Sequence, residues 1–175
     1  MILSLLTAIG LAASVLGEGD AQVIGAVTEH ETTLLGEGSG ALYGLQLTER
    51  RNRACQVRGF FRGEPPRTAR FCSGRVVGRH VRDSAAALMG VTAEVNGLSG
   101  CTDRNGNMAR VWLHSSQEDS APADLGECTE PTQRVDCEEG WAVQGVQLYF
   151  DGEAGGRSHR NLRGIRPLCT LMAHP

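Results

Sequence analysis

Two aromatic side chains and one amide alternate along an apolar segment in the last third of the chain. Trp141, Gln147 and Tyr149 occupy odd positions of this segment, and Ala142 and Val146 occupy even positions. Because side chains alternate across a β-strand, a strand here presents the two rings and the amide on one face. Such a face can stack on the apolar side of a sugar ring while the amide binds hydroxyl groups, which predicts a carbohydrate-contact surface. Burial of Trp141 against a neighbouring sheet is the structural alternative.

Arginines recur at every third residue shortly after this segment, at positions 157, 160, 163 and 166. This spacing does not match the two-residue period of a strand, so the four side chains cannot share one strand face. Planar guanidinium groups can bind a carboxylate or another anion through paired hydrogen bonds, although an arginine-rich hairpin arm needs no ligand. The predicted ligand-binding residues are Trp141, Gln147, Tyr149, Arg157 and Arg160.

The motifs for metal binding are incomplete. Asp103, Asn105 and Asn107 alternate as at the start of a calcium loop. Met108 stands where that loop needs glycine, and His114 stands where it needs glutamate. An Asn-Gly hairpin turn explains these residues without an ion, and a looser calcium requirement stays open. The cysteines form no C-x-x-C pair and the histidines are scattered, so we predict no metal site.

The sequence offers no positive sign of an enzyme. All 17 basic residues are arginine, which excludes Schiff-base chemistry on lysine, and no serine lies in a G-x-S-x-G elbow. We expect no cofactor. Paired carboxylates that are distant in sequence can still meet in a fold, so a hydrolase stays an open alternative.

The N-terminal segment has the features of a signal peptide. Residues 2–16 form an uncharged apolar run, shorter than the roughly 20 residues of a membrane span, and small residues follow at candidate cleavage positions. We predict a signal peptide at 1–21, no membrane insertion after its removal, and a secreted, periplasmic or extracellular location. A retained anchor or a buried helix is the alternative.

Charge favours neither nucleic acid nor a membrane surface as a partner, because 17 basic and 18 acidic side chains remain after residue 21. The charges are nevertheless segregated. Residues 50–82 contain ten arginines and one acid, whereas residues 115–140 contain eight acids and one arginine. The basic segment could bind a polyanion, or the acidic segment could neutralise it within the fold.

A repeated pattern, A-[LV]-x-G-[LV]-[QT]-[LA], occurs around Gly44, Gly90 and Gly145. A second alternating run follows each copy, at residues 57–60, 108–111 and 162–165. We interpret these pairs as three hairpins, with room between them for two further short strands. Glycine at one register in three strands indicates close approach of another backbone or tight packing of sheets.

These features predict one all-β domain at 22–175, with three internal repeats at about 40–72, 87–128 and 137–169. Its three hairpin-based sheets are expected in a β-prism-like arrangement, with a β-sandwich as the alternative. The six cysteines all lie in the part predicted to be exported, and their even number indicates three disulfides. Fifteen pairings are possible, and the spacing does not choose among them.

The segment from Cys137 to Cys169 contains C-x-x-G at its start, then G-x-x-L from Gly145 and L-x-G-I-R-x-x-C from Leu162. In this order the motifs resemble one repeat of the vitelline membrane outer layer protein I family, a β-prism of three such repeats. Similar repeats occur in bacterial exported proteins with jacalin-like folds. The acidic-Thr-Ala-Leu-Asn stretch of the family is replaced here by Ser158-His-Arg-Asn161. The resemblance implies the disulfides Cys137–Cys169 and, by extension, Cys55–Cys72 and Cys101–Cys128.

The combined expectation is a secreted, lectin-like module that binds an extracellular or cell-surface glycan. A structural or interaction protein of an extracellular coat or envelope is the first alternative, and a small secreted glycan hydrolase is the second. The sequence does not predict the oligomeric state or the identity of the ligand.

Overall fold

The computed structural model describes residues 22–38, 40–49, 54–70, 87–152 and 161–171, so the predicted signal peptide at 1–21 lies outside the described residues. The described part contains twelve strands and no helix, which confirms the all-β prediction, and accordingly none of its segments is a helix that could cross a membrane. In chain order the strands are β1 (Ile24–Gly25), β2 (His30–Leu35), β3 (Leu42–Glu49), β4 (Ala54–Phe61), β5 (Arg67–Arg70), β6 (Ala87–Gly90), β7 (Val95–Thr102), β8 (Met108–Ser115), β9 (Ala123–Asp124), β10 (Gln133–Asp136), β11 (Trp141–Phe150) and β12 (Leu162–Leu171).

The strands form three antiparallel sheets, each built around one hairpin. Sheet I has the order β5-β4-β3-β6, sheet II has the order β9-β8-β7-β10, and sheet III has the order β1-β12-β11-β2. In each sheet the two long hairpin strands lie in the centre and two shorter strands flank them. Sheet III combines the first two strands with the last two, so the two ends of the described domain meet in one sheet.

The hydrogen-bond register repeats three times. In the first strand of each hairpin the pairing shifts by one residue just before a glycine; these glycines are Gly44, Gly97 and Gly145. Such a shift is a β-bulge, which adds one residue to one strand and increases its local twist. The recurrence of the bulge shows that the three hairpins are equivalent in backbone geometry as well as in order.

The second hairpin corrects the sequence interpretation. The repeated pattern predicts that the segment around Gly90 pairs with residues 108–111, and this prediction is wrong. Gly90 lies in edge strand β6 and pairs with Gly44, whereas β8 pairs with β7, where Gly97 holds the repeated register. The sequence pattern misassigns the second repeat because the repeated backbone geometry consists of a bulge, the glycine after it and the apolar residue that follows, which is Leu98 in β7. The other residues of the pattern are not part of this geometry.

The three sheets enclose one hydrophobic cluster, which confirms the prism-like arrangement. The buried residues that the first hairpin strands contribute are Leu42, Leu45, Leu47, Val95, Leu98, Val143, Val146, Leu148 and Phe150. Each fully buried aliphatic side chain of this size contributes about 1.5–3 kcal/mol relative to an exposed one. One shared core therefore holds the hairpins, and their connecting loops project from the ends of the sheets.

Two disulfides are present among the residues that the structure describes. Cys101 of β7 is bonded to Cys128 in the β9–β10 connection, with 5.6 Å between their Cα atoms. Cys137, just after β10, is bonded to Cys169 of β12, with 5.7 Å between their Cα atoms, and this bond joins sheet II to sheet III. Both pairs are those that the family resemblance implies. The third implied pair, Cys55–Cys72, lies outside the residues whose side chains the structure describes.

Candidate functional site

The predicted carbohydrate-contact residues do not form one exposed surface. The Tyr149 hydroxyl donates a 2.9 Å hydrogen bond to Gln147 Oε1, so these two side chains are neighbours as expected. However, Tyr149 is only 3% exposed, and its ring is therefore not free to stack on a ligand. Arg157 and Arg160 lie outside the described residues.

Trp141 lies on the opposite side of β11 from Gln147 and Tyr149. Val143 and Val146 both belong to the core although they are three residues apart, because the bulge after Val143 inserts one residue between them. Trp141, two residues before Val143, is half-buried and shares its side of the strand. The expectation of a shared face is wrong, since it assumes strict alternation. Eight residues of strand also separate Trp141 from Tyr149 by about 26 Å.

The structure instead brings polar groups together where three connections meet at one end of the prism. These connections are the β1–β2 turn (residues 26–29), the β7–β8 loop (residues 103–107) and the two ends of the β11–β12 connection (residues 151–152 and 161). We refer to this region as the loop end.

Asp103 organises the β7–β8 loop. Its Oδ1 accepts hydrogen bonds from the backbone N–H groups of Asn105 and Asn107 at 2.8 and 2.9 Å, and the Asn107 side-chain amide donates to its Oδ2 at 2.9 Å. Partial burial opposes ionisation, but these hydrogen bonds and the Arg163 charge outweigh it, so the pKa of Asp103 is lower than its ordinary value. Gly106 supplies the positive φ of 73° that closes the turn. The Asn-Gly turn interpretation of this segment therefore agrees with the structure.

Arg163 ties the three connections to each other. Its Nε donates a 2.7 Å hydrogen bond to Asp151 Oδ2, and its Nη1 donates to the backbone oxygen of Asn105. Its own backbone oxygen accepts from Ala26 N at 3.0 Å. Asp151 Oδ1 in turn accepts from the backbone N–H of Asn161 at 2.9 Å, which closes the base of the β11–β12 connection.

A cleft of about 300 Å³ opens beside this network. Its lining comes from β1 and the turn after it, from the β7–β8 hairpin, and from the start of β10 and the segment before it: Gly25, Ala26, Thr102, Gly106, Glu130, Pro131 and Gln133. The Gln133 amide oxygen accepts a 2.8 Å hydrogen bond from Gly25 N, which fixes one wall. Glu130, Pro131 and Gln133 are exposed to solvent. The cleft therefore offers a carboxylate, an amide and an apolar ring to a small polar ligand.

The chemistry of the loop end is recognition of polar groups. Among the described residues there is no group of three His, Cys, Asp or Glu side chains that could hold a metal ion. The polar atoms present are carboxylate and amide oxygens, side-chain and backbone N–H groups and a guanidinium. Such an array can exchange hydrogen bonds with hydroxyl groups, which both donate and accept.

The sequence shows two of the motifs that form the loop end, but it does not show that they lie close together in the fold. The alternation at Asp103, Asn105 and Asn107 and the three-residue spacing that includes Arg163 were both visible in the sequence. Nothing in the sequence indicated that Arg163 would reach Asn105, 58 residues earlier, or that Gln133 would reach Gly25, 108 residues earlier. These contacts depend on sheet III combining both ends of the chain with sheet II beside it.

Comparisons with known proteins agree with this architecture. Neither a scan against protein-family models nor a search of curated proteins finds a match. Among solved structures, the chain is similar to the agglutinin of Calystegia sepium, with a TM-score of 0.55 and 11% identity over 87% of this chain and 97% of that chain. It is also similar to wild-type Malaysian banana lectin, with a TM-score of 0.52 and 12% identity over 86% of this chain and 96% of that chain. This chain has the jacalin-like β-prism fold.

A third similar structure is Calsepa lectin in complex with bisected glycan, with a TM-score of 0.51 and 11% identity over 87% of this chain and 95% of that chain. At such identities the similarity establishes the fold of this chain and does not identify its ligand.

Proposed function

We propose that this protein is a secreted, lectin-like protein that binds an extracellular or cell-surface glycan in the cleft at the loop end. The observation that carries the proposal is the cleft of about 300 Å³, held open beside three connections that Arg163 ties together. The jacalin-like fold supports it, because proteins similar to this chain are lectins by name and one was solved with a bisected glycan.

The cleft matches the chemistry of a saccharide. Glu130 offers carboxylate oxygens that accept hydrogen bonds from sugar hydroxyls, and the Gln133 amide can both donate and accept. The ring of Pro131 supplies an apolar surface for the C–H face of a sugar. A rigid site of this kind needs few polar groups, provided that they are held in place. Gln133 is held by the hydrogen bond from Gly25 N, and Glu130 by the hydrogen bond from its backbone N–H to Thr102 O at 3.3 Å.

The predicted set of Trp141, Gln147, Tyr149, Arg157 and Arg160 is a competing glycan site on the same chain. A glycan array of the exported protein can discriminate between the two sites. We expect Glu130→Ala to reduce binding by about tenfold, which corresponds to about 1.4 kcal/mol. Glu138→Ala is the matched control, because Glu138 is exposed, carries the same charge and does not line the cleft.

Trp141→Ala tests the competing site in the same experiment. Loss of binding in Trp141→Ala with normal binding in Glu130→Ala would move the site to β11. Absence of binding to any glycan by the wild-type protein contradicts the carbohydrate-binding function itself. Thermal unfolding of each variant establishes that the fold is retained.

We extend the proposal to the location and relationships of the protein. Disulfides are typical of oxidising compartments outside the cytoplasm, and two are present among the described residues. They support export directed by a signal peptide at 1–21. The Cys137–Cys169 bond also closes the segment that resembles the vitelline membrane outer layer protein I family, and we propose a relationship to that family on this basis.

A further inference from the structure

Ser99, His114 and Asp119 form a continuous chain of hydrogen bonds on sheet II. His114 Nε2 lies 2.7 Å from Ser99 Oγ, and His114 Nδ1 lies 2.7 Å from Asp119 Oδ1. Ser99 belongs to β7 and His114 to β8, and Asp119 is held by an isolated β-bridge to His114. Each ring nitrogen therefore faces the partner that it has in a Ser-His-Asp catalytic triad.

The order of the hydrogen bonds fixes which nitrogen carries the proton. The hydrogen bond from His114 lowers the pKa of Asp119, against a smaller opposing effect of desolvation, so Asp119 is ionised at neutral pH. An ionised carboxylate only accepts, so Nδ1 must donate to it. In the neutral imidazole Nε2 is then the acceptor, and it receives the hydrogen bond of the Ser99 hydroxyl. This is the state in which a histidine can remove a proton from serine.

The repeat provides an internal comparison for these residues. Ser99 lies two residues after the repeated glycine of its strand, and the equivalent positions in the other two sheets are Gln46 and Gln147. His114 is the cross-strand partner of that glycine, and the equivalent partners in the other two sheets are Phe60 and Leu168. The same backbone thus folds with an amide and an apolar side chain at these positions, and the prism does not require a serine beside a histidine.

Two neighbours of Ser99 shape the approach to its hydroxyl. Arg134 of β10 and Trp112 of β8 are its direct cross-strand partners, so their side chains lie on its face of the sheet. Arg134 is half-exposed, bonds Asp136 through Nε at 2.9 Å and also acts electrostatically on Asp119. A guanidinium beside a nucleophile can stabilise negative charge that develops on a carbonyl oxygen. Ser99 and His114 are only 5% and 6% exposed, so a large acyl donor cannot reach the Ser99 hydroxyl.

We propose that Ser99, His114 and Asp119 form an acyl-transfer site that accepts small O-acyl esters, independent of the glycan cleft. Ser99 Oγ bonds to the acyl carbon while its proton passes to His114 Nε2. The ester C–O bond then breaks, and the leaving alkoxide takes that proton and departs as an alcohol. Water attacks the acyl-serine by the same route and releases the carboxylic acid, which restores Ser99. Asp119 is a positioning residue that holds the imidazole.

The test uses the intact, disulfide-bonded protein with p-nitrophenyl acetate and, separately, a small alkyl fluorophosphonate. We expect release of p-nitrophenolate with transient acetylation of Ser99, and stable phosphonylation of the same residue, located by peptide mass mapping. Ser99→Ala should abolish both modifications. Thr129→Ala is the control and should leave both unchanged, because Thr129 is an exposed residue with a hydroxyl group that, in the described structure, bonds to the backbone oxygen of Thr102 and to none of Ser99, His114 and Asp119.

The labelling of wild-type protein keeps the proposal testable even where a variant does not fold. A wild-type protein whose Ser99 stays unmodified by both reagents overturns the proposal, as does modification of other residues that persists at the same rate in Ser99→Ala. Asp119 has its own readout: Asp119→Asn should slow acylation by about a hundredfold or more, and Asp119→Glu should restore part of the rate. Equal rates in these two variants contradict the positioning role.

Discussion

Arg163 Nε donates a 2.7 Å hydrogen bond to Asp151 Oδ2, and through this pair strand β12 holds the start of its own preceding connection. Arg163 occupies the bulge of β12, and the equivalent bulges of sheets I and II carry Cys55 and Ala109. Neither of those residues has a charged side chain, so the repeat itself does not explain the arginine. Its contacts to two other connections make it the residue that gives the loop end a defined shape.

Arg163→Ala should weaken glycan binding much more than it weakens the fold. Both partners of the ion pair are about a quarter to a third exposed, so its loss should cost about 1 kcal/mol or less of unfolding free energy. The substitution removes the side-chain contacts to Asp151 and Asn105 and so loosens two connections of the loop end. Glycan affinity should fall by about tenfold or more, because the ligand must then order these connections on binding. Titration calorimetry and urea unfolding measure the two effects.

Arg110→Ala is the matched control for this prediction. Arg110 pairs with Asp124 at 3.1 Å on sheet II, with both side chains more exposed than those of the Arg163–Asp151 pair, and it does not line the cleft. The variant should show a similar small change in stability and unchanged glycan affinity. Equal loss of affinity in the two variants contradicts the role assigned to Arg163.

Asp103 should make stability depend on pH in the acidic range. Its pKa is lower in the folded protein than its ordinary value, so its contribution is fully present above the unfolded pKa of about 3.9 and is lost as pH falls through the folded value. Asp103→Asn removes this contribution at neutral pH and therefore flattens the decline of stability below about pH 5. Urea unfolding at a series of pH values measures the effect. Parallel curves for wild type and variant contradict it.

The sequence predicted the architecture because the repeated elements are local. Alternation of apolar residues, a glycine within each first hairpin strand and breakers between them are set within about ten residues, and they identify hairpins. The bulges are different, because nothing in the letters around Val143 shows that a residue is inserted in the pairing. The bulge explains both corrections: the face of Trp141, and the choice of Gly90 over Gly97 as the second repeated glycine.

The two candidate sites could not be predicted from the sequence because their residues meet only through long-range pairing of strands. The loop end joins residues from β1, β7–β8 and β11–β12, and these meet only because sheet III closes the two ends of the described domain. Ser99 and His114 are 15 residues apart and lie on two strands whose register depends on the bulge after Val95. A search for a nucleophile elbow misses this serine, because it lies within a strand rather than on a strand-to-helix turn.

Gly145→Ala should destabilise the prism. A Cβ at this position collides with the backbone oxygen of Leu34 and lies 2.9 Å from Leu35 Cα, both in edge strand β2. Backbone atoms of a paired strand cannot move aside without breaking the sheet, so we expect a loss of about 1–3 kcal/mol. Gly126→Ala is the control, because no atom lies within 4 Å of its added Cβ and its φ is not positive. Chemical denaturation of the two variants should separate them, and equal midpoints contradict the close approach of β2 to Gly145.

The half-buried Cys137–Cys169 disulfide should contribute substantially to the stability of the domain. It links the segment after β10 to the central strand β12 and closes a loop with a sequence separation of 32 residues. Replacement of both cysteines by serine should lower the free energy of unfolding by about 2–4 kcal/mol, since the unfolded chain regains the freedom that the bond removes. Urea denaturation of the double variant measures the loss.

Mass mapping of the unreduced wild-type protein provides the covalent check, and it should recover the Cys137–Cys169 and Cys101–Cys128 bonds and the predicted Cys55–Cys72 bond. A bond between Cys55 and Cys169 contradicts both the register of sheet III and the expected contribution, because β12 could not then pair as described while its cysteine was held by sheet I.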